Sequence, residues 1–345
     1  MVKVGIVGAT GYVGGELVRL LTRHPQAEIT YLVSESYEGK TIGEVFPHLH
    51  NWGNIICQKL DLEALAQQTE VVFLALPHGV SMDIAANLLA KGKKVIDLGA
   101  DYRFDSLEIY EKWYIKHTQP QLFGKAVYGL CEINREAIKS AQLIGNPGCY
   151  PTTAILGLAP LLKSDLVELS NIVVDSKSGV SGAGRGLNLA THFPECNETL
   201  KAYNVAKHRH KPEIEQELSK LAEEKVKITF TPHLIPMIRG MLSTIYLNIK
   251  PGVTLEQVHQ LYQDFYQDEI FVRVLNPGSL PETKFVAGSN FCDLGLALDE
   301  ESEKLIVVSA IDNLIKGAAG QAVQNMNIMY NLPEPAGLDY PGIFP

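Results

Sequence analysis

One cysteine in this chain is placed where a thiolate would form. Gly145-Asn-Pro-Gly-Cys149-Tyr-Pro-Thr152 follows a short β-prone run and precedes the apolar helical pattern of Ala154, Ile155 and Leu158. That order sets Cys149 at a helix N-terminus, where unpaired N–H groups and the helix dipole favour a negative sulfur. A thiolate nucleophile needs a partner that handles protons. Lys207-His208-Arg-His210-Lys211-Pro-Glu213 offers two imidazoles, three cations and one carboxylate within seven residues. Against a net charge of −9, this is the densest positive segment of the chain. It suits an anionic substrate while one imidazole manages a proton. The competing reading of such a run is a solvated basic face. Cys57, Cys131, Cys196 and Cys292 read as buried, inert thiols, and His24, His48, His50, His117, His192 and His259 as surface or structural residues.

A second chemical signal lies at the start. Gly8-Ala-Thr-Gly11-Tyr-Val-Gly14 follows an apolar run and opens an amphipathic one, the context in which a glycine turn presents backbone N–H groups to a pyrophosphate. A tight turn needing positive φ is the alternative. Gly8, Thr10, Gly11, Tyr12, Val13 and Gly14 are therefore the expected cofactor turn. Further on, Ser34 and Ser36 suit a ribose 2′-phosphate, whereas Glu35 suits a free 2′-hydroxyl. If the strand continues through these residues, its alternation turns both serines one way and Glu35 the other. A second glycine loop, Ser178-Gly-Val-Ser-Gly-Ala-Gly-Arg185, either approaches a cofactor or turns the chain. Arg239 stands among apolar residues, where its guanidinium needs a structural acid or a substrate anion.

The elements that must position these groups fall into two grammars. Val2–Val7, Glu28–Val33, Val71–Leu76, Val95–Leu98 and Leu143–Gly145 read as strands alternating with helices. Such alternation predicts a parallel sheet covered on both faces. Beyond Asn171 the strand candidates are Val173–Val174, Val226–Phe230, Leu242–Ile249, Phe271–Leu275, Leu294–Leu298 and Leu305–Ile311. One helix carries Pro212 in its first turn, and another starts at Thr254 with Gln257 completing a capping box. This pattern predicts an α+β domain with a mixed or antiparallel sheet. A last helix is expected over Asn313–Tyr330, followed by an extended surface tail from Pro333 to Pro345. The expected fold is thus a doubly wound, Rossmann-type domain followed by a second domain with a mixed or antiparallel sheet.

The chain has 345 residues, 46 % hydrophobic and 20 % charged, enough to bury a sizeable core. Its acidity argues against a surface that holds nucleic acid or an anionic membrane. The longest apolar stretch, near Ala154–Leu162, contains a Gly and a Pro and falls short of the roughly 20 residues a bilayer span needs. Five scattered cysteines without a C-x-x-C pair support neither a disulfide scaffold nor a metal site. No basic leader precedes the first strand. These features fit a cytoplasmic protein.

Taken together, Gly8–Glu16, Ala75-Leu-Pro-His-Gly79, Asp97-Leu-Gly-Ala-Asp-Tyr-Arg103, Pro147–Thr152, Ser178–Arg185, His208–Glu213 and Ile311-Asp-Asn-Leu-Ile-Lys-Gly317 resemble the N-acetyl-gamma-glutamyl-phosphate reductases of the semialdehyde dehydrogenase superfamily. The resemblance spans nearly the whole chain. It implies NADPH-dependent reduction of N-acetyl-gamma-glutamyl phosphate, an acyl phosphate, to N-acetyl-L-glutamate 5-semialdehyde in arginine biosynthesis, with release of phosphate. In that reading Cys149 is the nucleophile, His208 the acid/base and Glu213 the residue that orients it. His210, Arg239 and Tyr203 meet substrate. Pro77, Ser178, Gly179, Gly182 and Asn313 join the glycine turn, Ser34 and Ser36 on NADP(H), with no metal. The resemblance also implies an NADP-binding Rossmann domain at 1–148 and about 313–345, a catalytic and dimerisation domain at 149–312, and a homodimer or homotetramer, because the family's second sheet commonly forms the subunit interface. Where many relatives carry a basic residue, this chain has Glu35. The rival enzymes are aspartate-semialdehyde dehydrogenase and a carrier-linked aminoadipyl-phosphate reductase. A short-chain epimerase needs a Tyr-x-x-x-Lys pair on a helix, which neither Tyr262 nor Tyr266 provides, being followed at that spacing by Tyr and Ile, and a non-catalytic NADP sensor leaves Cys149 and His208 without a task.

Overall fold

A computed structural model describes residues 1–51 and 54–344. They form two compact units, Met1–Gly148 with Ala318–Asp339, and Cys149–Gly317 with the residues from Tyr340 onward.

The first unit is built on seven strands: β1 (Val2–Val7), β2 (Ala27–Val33), β3 (Cys57–Gln58), β4 (Val71–Leu74), β5 (Lys94–Asp97), β6 (Val127–Tyr128) and β7 (Leu143–Gly145). Their order is β3-β2-β1-β4-β5-β7-β6, and every pairing is parallel. Every residue of β4 is fully buried, which is why this strand reads as an unbroken apolar run and not as an alternation. The helix Tyr12–Leu21 buries Leu17, Val18, Leu20 and Leu21 and ends at Thr22, ahead of Pro25. Strand order reverses between β1 and β4. The loops leaving those two strands, which carry Gly8–Gly11 and Ala75–Gly79, therefore share the edge where doubly wound sheets hold ligands. The helix Gly320–Met329 is buried throughout. Two of its amides donate across to another segment of the unit: Gln321 and Asn325 each bond the Gly129 carbonyl at 2.8 Å.

The second unit holds β8 (Ile172–Gly179), β9 (Lys201–Ala202), β10 (Ile228–Ile235), β11 (Met241–Asn248), β12 (Val272–Val274), β13 (Cys292–Asp299) and β14 (Lys304–Ile311). The order is β12-β13-β14-β11-β8-β10-β9. β8 with β10 and β12 with β13 run parallel, and the other neighbours are antiparallel. Under this sheet lies the helix Cys149–Leu162, whose residues after Cys149 are all buried, as befits a helix that is apolar all round. Pro160 lacks the N–H that would bond to the Leu156 carbonyl. The Tyr266 hydroxyl supplies the missing donor at 2.6 Å, and Tyr262 donates to Gly157 at 2.5 Å. The helix Leu255–Tyr266 that carries both tyrosines starts with the Thr254/Gln257 capping box its spacing predicts.

Several boundaries differ from the sequence reading. β4 stops at Leu74, and β10 runs on to Ile235 through Pro232, beside the two-residue β9. The last helix is not continuous. A π-helical turn occupies Ile315–Ala319, and the α-helix starts only at Gly320. The division near 313 accordingly moves: Asn313–Gly317 lies with the second unit, and so do the residues from Tyr340. The tail is not simply extended. It turns at 334–338, where Leu338 is fully buried, and Ile343 donates to the Ala287 carbonyl at 2.7 Å. Pro345 lies outside the described residues.

Candidate active site

In the first unit, Gly8 has φ +86°, and a Cβ there would stand 2.3 Å from the Ala75 carbonyl oxygen, so only glycine fits. The helix beginning at Tyr12 has no side-chain cap at Gly11 and no acidic residue in its first turn. Its N-terminal N–H groups thus remain available to an anion such as a pyrophosphate. The Thr10 and Ser34 hydroxyls are hydrogen-bonded at 2.7 Å, joining the glycine turn to the end of β2. Pro77 is exposed on the loop after β4.

The alternation expected at Ser34-Glu35-Ser36 does not occur, because β2 ends at Val33 and the chain bends. Ser34 is buried, whereas Glu35 and Ser36 are both exposed. The Glu35 carboxylate lies 3.5 Å from the Leu60 N–H, which donates to it.

The turn that leads to the cysteine is clamped from below. The Asp97 carbonyl accepts from Asn146 N–H at 2.8 Å, and the buried Arg103 donates to the Asn146 carbonyl at 2.6 Å and to Leu98 at 2.8 Å. Asp101 accepts from Gly79 N–H (2.9 Å), the Ser81 hydroxyl (2.8 Å) and the Tyr110 hydroxyl (2.7 Å). Burial, with the charge of Asp101 beside it, pushes Asp97 up to about 7. Charged residues amid an apolar pattern were the available signal for this clamp. From the sequence, Asp97–Arg103 stands only as part of the family resemblance.

In the second unit, Cys149 is the first residue of its helix and is half-buried, whereas Cys57, Cys131, Cys196 and Cys292 are buried. The π-helical turn meets it at Gly317, where a Cβ would lie 2.9 Å from the Cys149 Cβ. Wide turns of this kind recur at functional sites. Asp312 holds the start of that turn by accepting from Leu314 N–H at 2.8 Å and Ile315 N–H at 3.2 Å.

His208 stands among aromatic rings. Its centroid is 5.4 Å from Tyr150, 5.4 Å from Tyr203, 5.4 Å from Phe230 and 4.8 Å from His210. The backbone N–H of His210 donates to His208 Nδ1 at 3.1 Å. An N–H can only donate, so neutral His208 carries its proton on Nε2. Burial, reinforced by the Arg209 charge, lowers His208 to about 4. The site therefore contains a neutral imidazole that offers a hydrogen bond, a state that residue types alone do not reveal.

That depression makes folding pH-dependent. A histidine neutral in the fold and protonated when unfolded binds fewer protons in the native state, so stability is lost as pH falls from about 6.5 toward 4. The full span amounts to about 3 kcal/mol. Burial lowers His24 and His117 as well, adding to the loss in the same direction. Urea unfolding between pH 7.5 and 4.5 should show stability dropping through this window, less steeply in His208→Gln. Equal slopes would mean that His208 titrates normally.

The remaining expected residues are distributed as follows. Glu213 is fully buried in the first turn of the helix His210–Ala222. Tyr203 donates to the Tyr150 hydroxyl at 3.0 Å. Ser178 and Gly179 end β8, and Gly182 follows in a short 3-10 turn. Asn313 ties that turn to the Arg239–Gly240 corner, donating to Ser181 Oγ at 2.9 Å and accepting from Gly240 N–H at 2.9 Å. Arg239 has the structural acid that its setting called for, with Nη1 3.6 Å from Asp312, yet its side chain is one-third exposed.

The chain matches two family profiles, the semialdehyde dehydrogenase NAD binding domain over residues 3–141 and the semialdehyde dehydrogenase dimerisation domain over 149–313. It is 55 % identical, over the full length of both chains, to an N-acetyl-gamma-glutamyl-phosphate reductase of Desulforudis audaxviator. Among solved structures it resembles aspartate semialdehyde dehydrogenase II of Vibrio cholerae, complexed with ASA, with a TM-score of 0.73, 19 % identity, and coverage of 96 % of this chain and 98 % of that one. It also resembles the Candida albicans aspartate semialdehyde dehydrogenase with NADP, with a TM-score of 0.70 at 19 % identity, covering 96 % and 98 %. At such identities these two likenesses speak to the fold.

Proposed function

The chain belongs to the N-acetyl-gamma-glutamyl-phosphate reductases of the semialdehyde dehydrogenase family, and we propose that Cys149 and His208 carry its reaction in the roles set out here. It is an oxidoreductase with an NAD(P)-binding domain. The substrate is N-acetyl-gamma-glutamyl phosphate. The acyl phosphate, NADPH and a proton give N-acetyl-L-glutamate 5-semialdehyde, NADP+ and phosphate.

The Cys149 thiolate adds to the acyl carbon, the carbon–oxygen bond to phosphate breaks, and phosphate leaves with the electron pair. A thioester on Cys149 results. When bound, NADPH supplies the hydride that reduces it. Each tetrahedral stage carries its charge on the former carbonyl oxygen, where a neutral His208 Nε2–H and the N–H groups at the start of the Cys149 helix donate hydrogen bonds. Collapse breaks the carbon–sulfur bond, frees the aldehyde and restores the thiolate. The proton consumed overall ends on phosphate, so His208 can serve throughout as a donor. Glu213 anchors the His208–His210 segment, and His210, Tyr203 and Arg239 recognise the anionic substrate together with the basic run.

The observation that carries this reading is a lone half-buried cysteine opening a buried apolar helix, in the same unit as a histidine held neutral. Oxidation of N-acetyl-L-glutamate 5-semialdehyde by NADP+ should require phosphate, with aspartate semialdehyde a far poorer substrate. Preference for aspartate semialdehyde would overturn it.

For the cofactor, the uncapped glycine turn, Pro77 and the Thr10–Ser34 pair fit the pyrophosphate and ribose of a dinucleotide, with Ser178, Gly179, Gly182 and Asn313 serving its nicotinamide end. NADPH is preferred over NADH because Ser34 can donate to a 2′-phosphate while Glu35 turns toward Leu60. Without a basic residue at this corner, discrimination is modest. Glu35→Arg should tighten NADPH a few-fold and leave NADH nearly unchanged, as read by fluorescence titration at low salt. Unchanged affinity for both would remove residue 35 from the ribose corner.

A second copy of the chain is the partner, as a homodimer or homotetramer assembled through the dimerisation domain, and the cytoplasm is the place of action.

A further inference from the structure

The nucleophile's immediate neighbour in the chain, Tyr150, has no part in the chemistry above, yet it contacts every ring that surrounds His208. It is 2 % exposed. Its ring meets His208 edge-on at 5.4 Å with an interplanar angle of 87°, His210 at 5.8 Å and Phe230 at 5.4 Å. Its hydroxyl accepts from Tyr203 at 3.0 Å and donates to the His233 carbonyl on β10 at 3.3 Å.

Resting on the reading of Cys149 and His208 as the reacting pair, we propose that Tyr150 is a positioning residue, which fixes the His208 imidazole relative to the nucleophile through their shared helical turn. The physical case has three parts. Burial raises the Tyr150 phenol far above its usual range, so it exchanges no proton at working pH. Tilted ring pairs at these distances hold one orientation better than aliphatic contacts do. And because Cys149 and Tyr150 are adjacent residues of one helix, whatever locates the Tyr150 ring also fixes where His208 stands from the sulfur. The ring is held by its own edge contacts with Phe230 and His210, and it excludes water from the imidazole. The charged and titratable groups around His208 are Arg209, His210, Tyr203 and Tyr150 itself.

The test compares Tyr150→Leu with Tyr150→Phe. Misplacing a catalytic group by about 1 Å costs roughly 10²-fold. Tyr150→Leu should therefore lower kcat by about that factor while leaving the KM for NADPH unchanged, and NMR of the His208 imidazole should show its pKa rising from about 4 toward its ordinary value. Tyr150→Phe keeps the ring, so it should restore most of kcat and the low His208 pKa. If the Leu variant does not fold, Tyr150→Met is read in its place, since it retains bulk without a ring. Wild-type kcat with an unshifted His208 in the ring-less variant would overturn the proposal. So would a Phe variant as damaged as the Leu variant, because that would give the hydroxyl a chemical role. Failure of the underlying reading looks different: His208→Ala would then turn over normally whatever Tyr150 does.

Discussion

Cys149→Ser should abolish turnover while NADPH binding survives. Covalent transfer through residue 149 needs an anionic nucleophile, and the position provides for one: Cys149 opens a helix, where N–H groups and the dipole stabilise negative sulfur. A serine hydroxyl gains far less from that setting because it is scarcely ionised at neutral pH. No base waits to activate it, since His208 in its neutral form already carries a proton on Nε2 and receives one hydrogen bond at Nδ1. Activity should fall by several orders of magnitude. The glycine turn lies in the other unit, so the dissociation constant for NADPH should stay within a factor of about two of wild type. Steady-state rates and fluorescence titration read the two halves separately. Near-normal turnover in the serine variant would remove Cys149 from the chemistry.

The second large effect is at His208. Loss of one donor to a developing oxyanion costs roughly 10²–10³ in kcat. His208→Ala should show that loss, with little change in the KM for NADPH. His208→Gln separates donation from proton transfer, because its amide N–H can replace Nε2–H but cannot relay a proton. The structure places the donating tautomer there, so Gln should retain more activity than Ala. The pH profile of kcat should also lack a limb near 6.5, since the imidazole titrates at about 4. Equal damage in both variants, together with a limb near 6.5, would assign His208 to proton transfer.

Much of this site was legible in the sequence because its signals are local. A glycine turn between a strand and a helix, a cysteine at a helix start and a His-x-His run are all short-range patterns. Five strands of the parallel sheet and six of the mixed one were legible as apolar or alternating runs. The two-residue strands β3, β6 and β9 carry no such periodicity, since their pairing comes from longer neighbours. The break at Ile315–Ala319 was hidden for a different reason. A π-helical turn can use the same small residues as an α-helix, and its close approach to Cys149 at Gly317 joins residues far apart in the chain. Ser34-Glu35-Ser36 does not alternate because β2 ends at Val33 and the chain bends, so none of the three lies in the strand. The state of His208 was equally inaccessible. It depends on Tyr150, Tyr203 and Phe230 converging from the Cys149 helix, the segment after β9 and β10, and only the fold brings them together.

The central claim is an acyl group carried on Cys149, and the most direct measurement omits phosphate. The enzyme is mixed with N-acetyl-L-glutamate 5-semialdehyde and NADP+, NADPH is followed by stopped flow, and the quenched protein is digested for mass spectrometry. With no phosphate to release the acyl group, a burst of about one NADPH per active site is expected, with an N-acetylglutamyl group on the peptide containing Cys149 that hydroxylamine removes. No burst and an unmodified Cys149, or an acyl group on any other residue, would contradict the account.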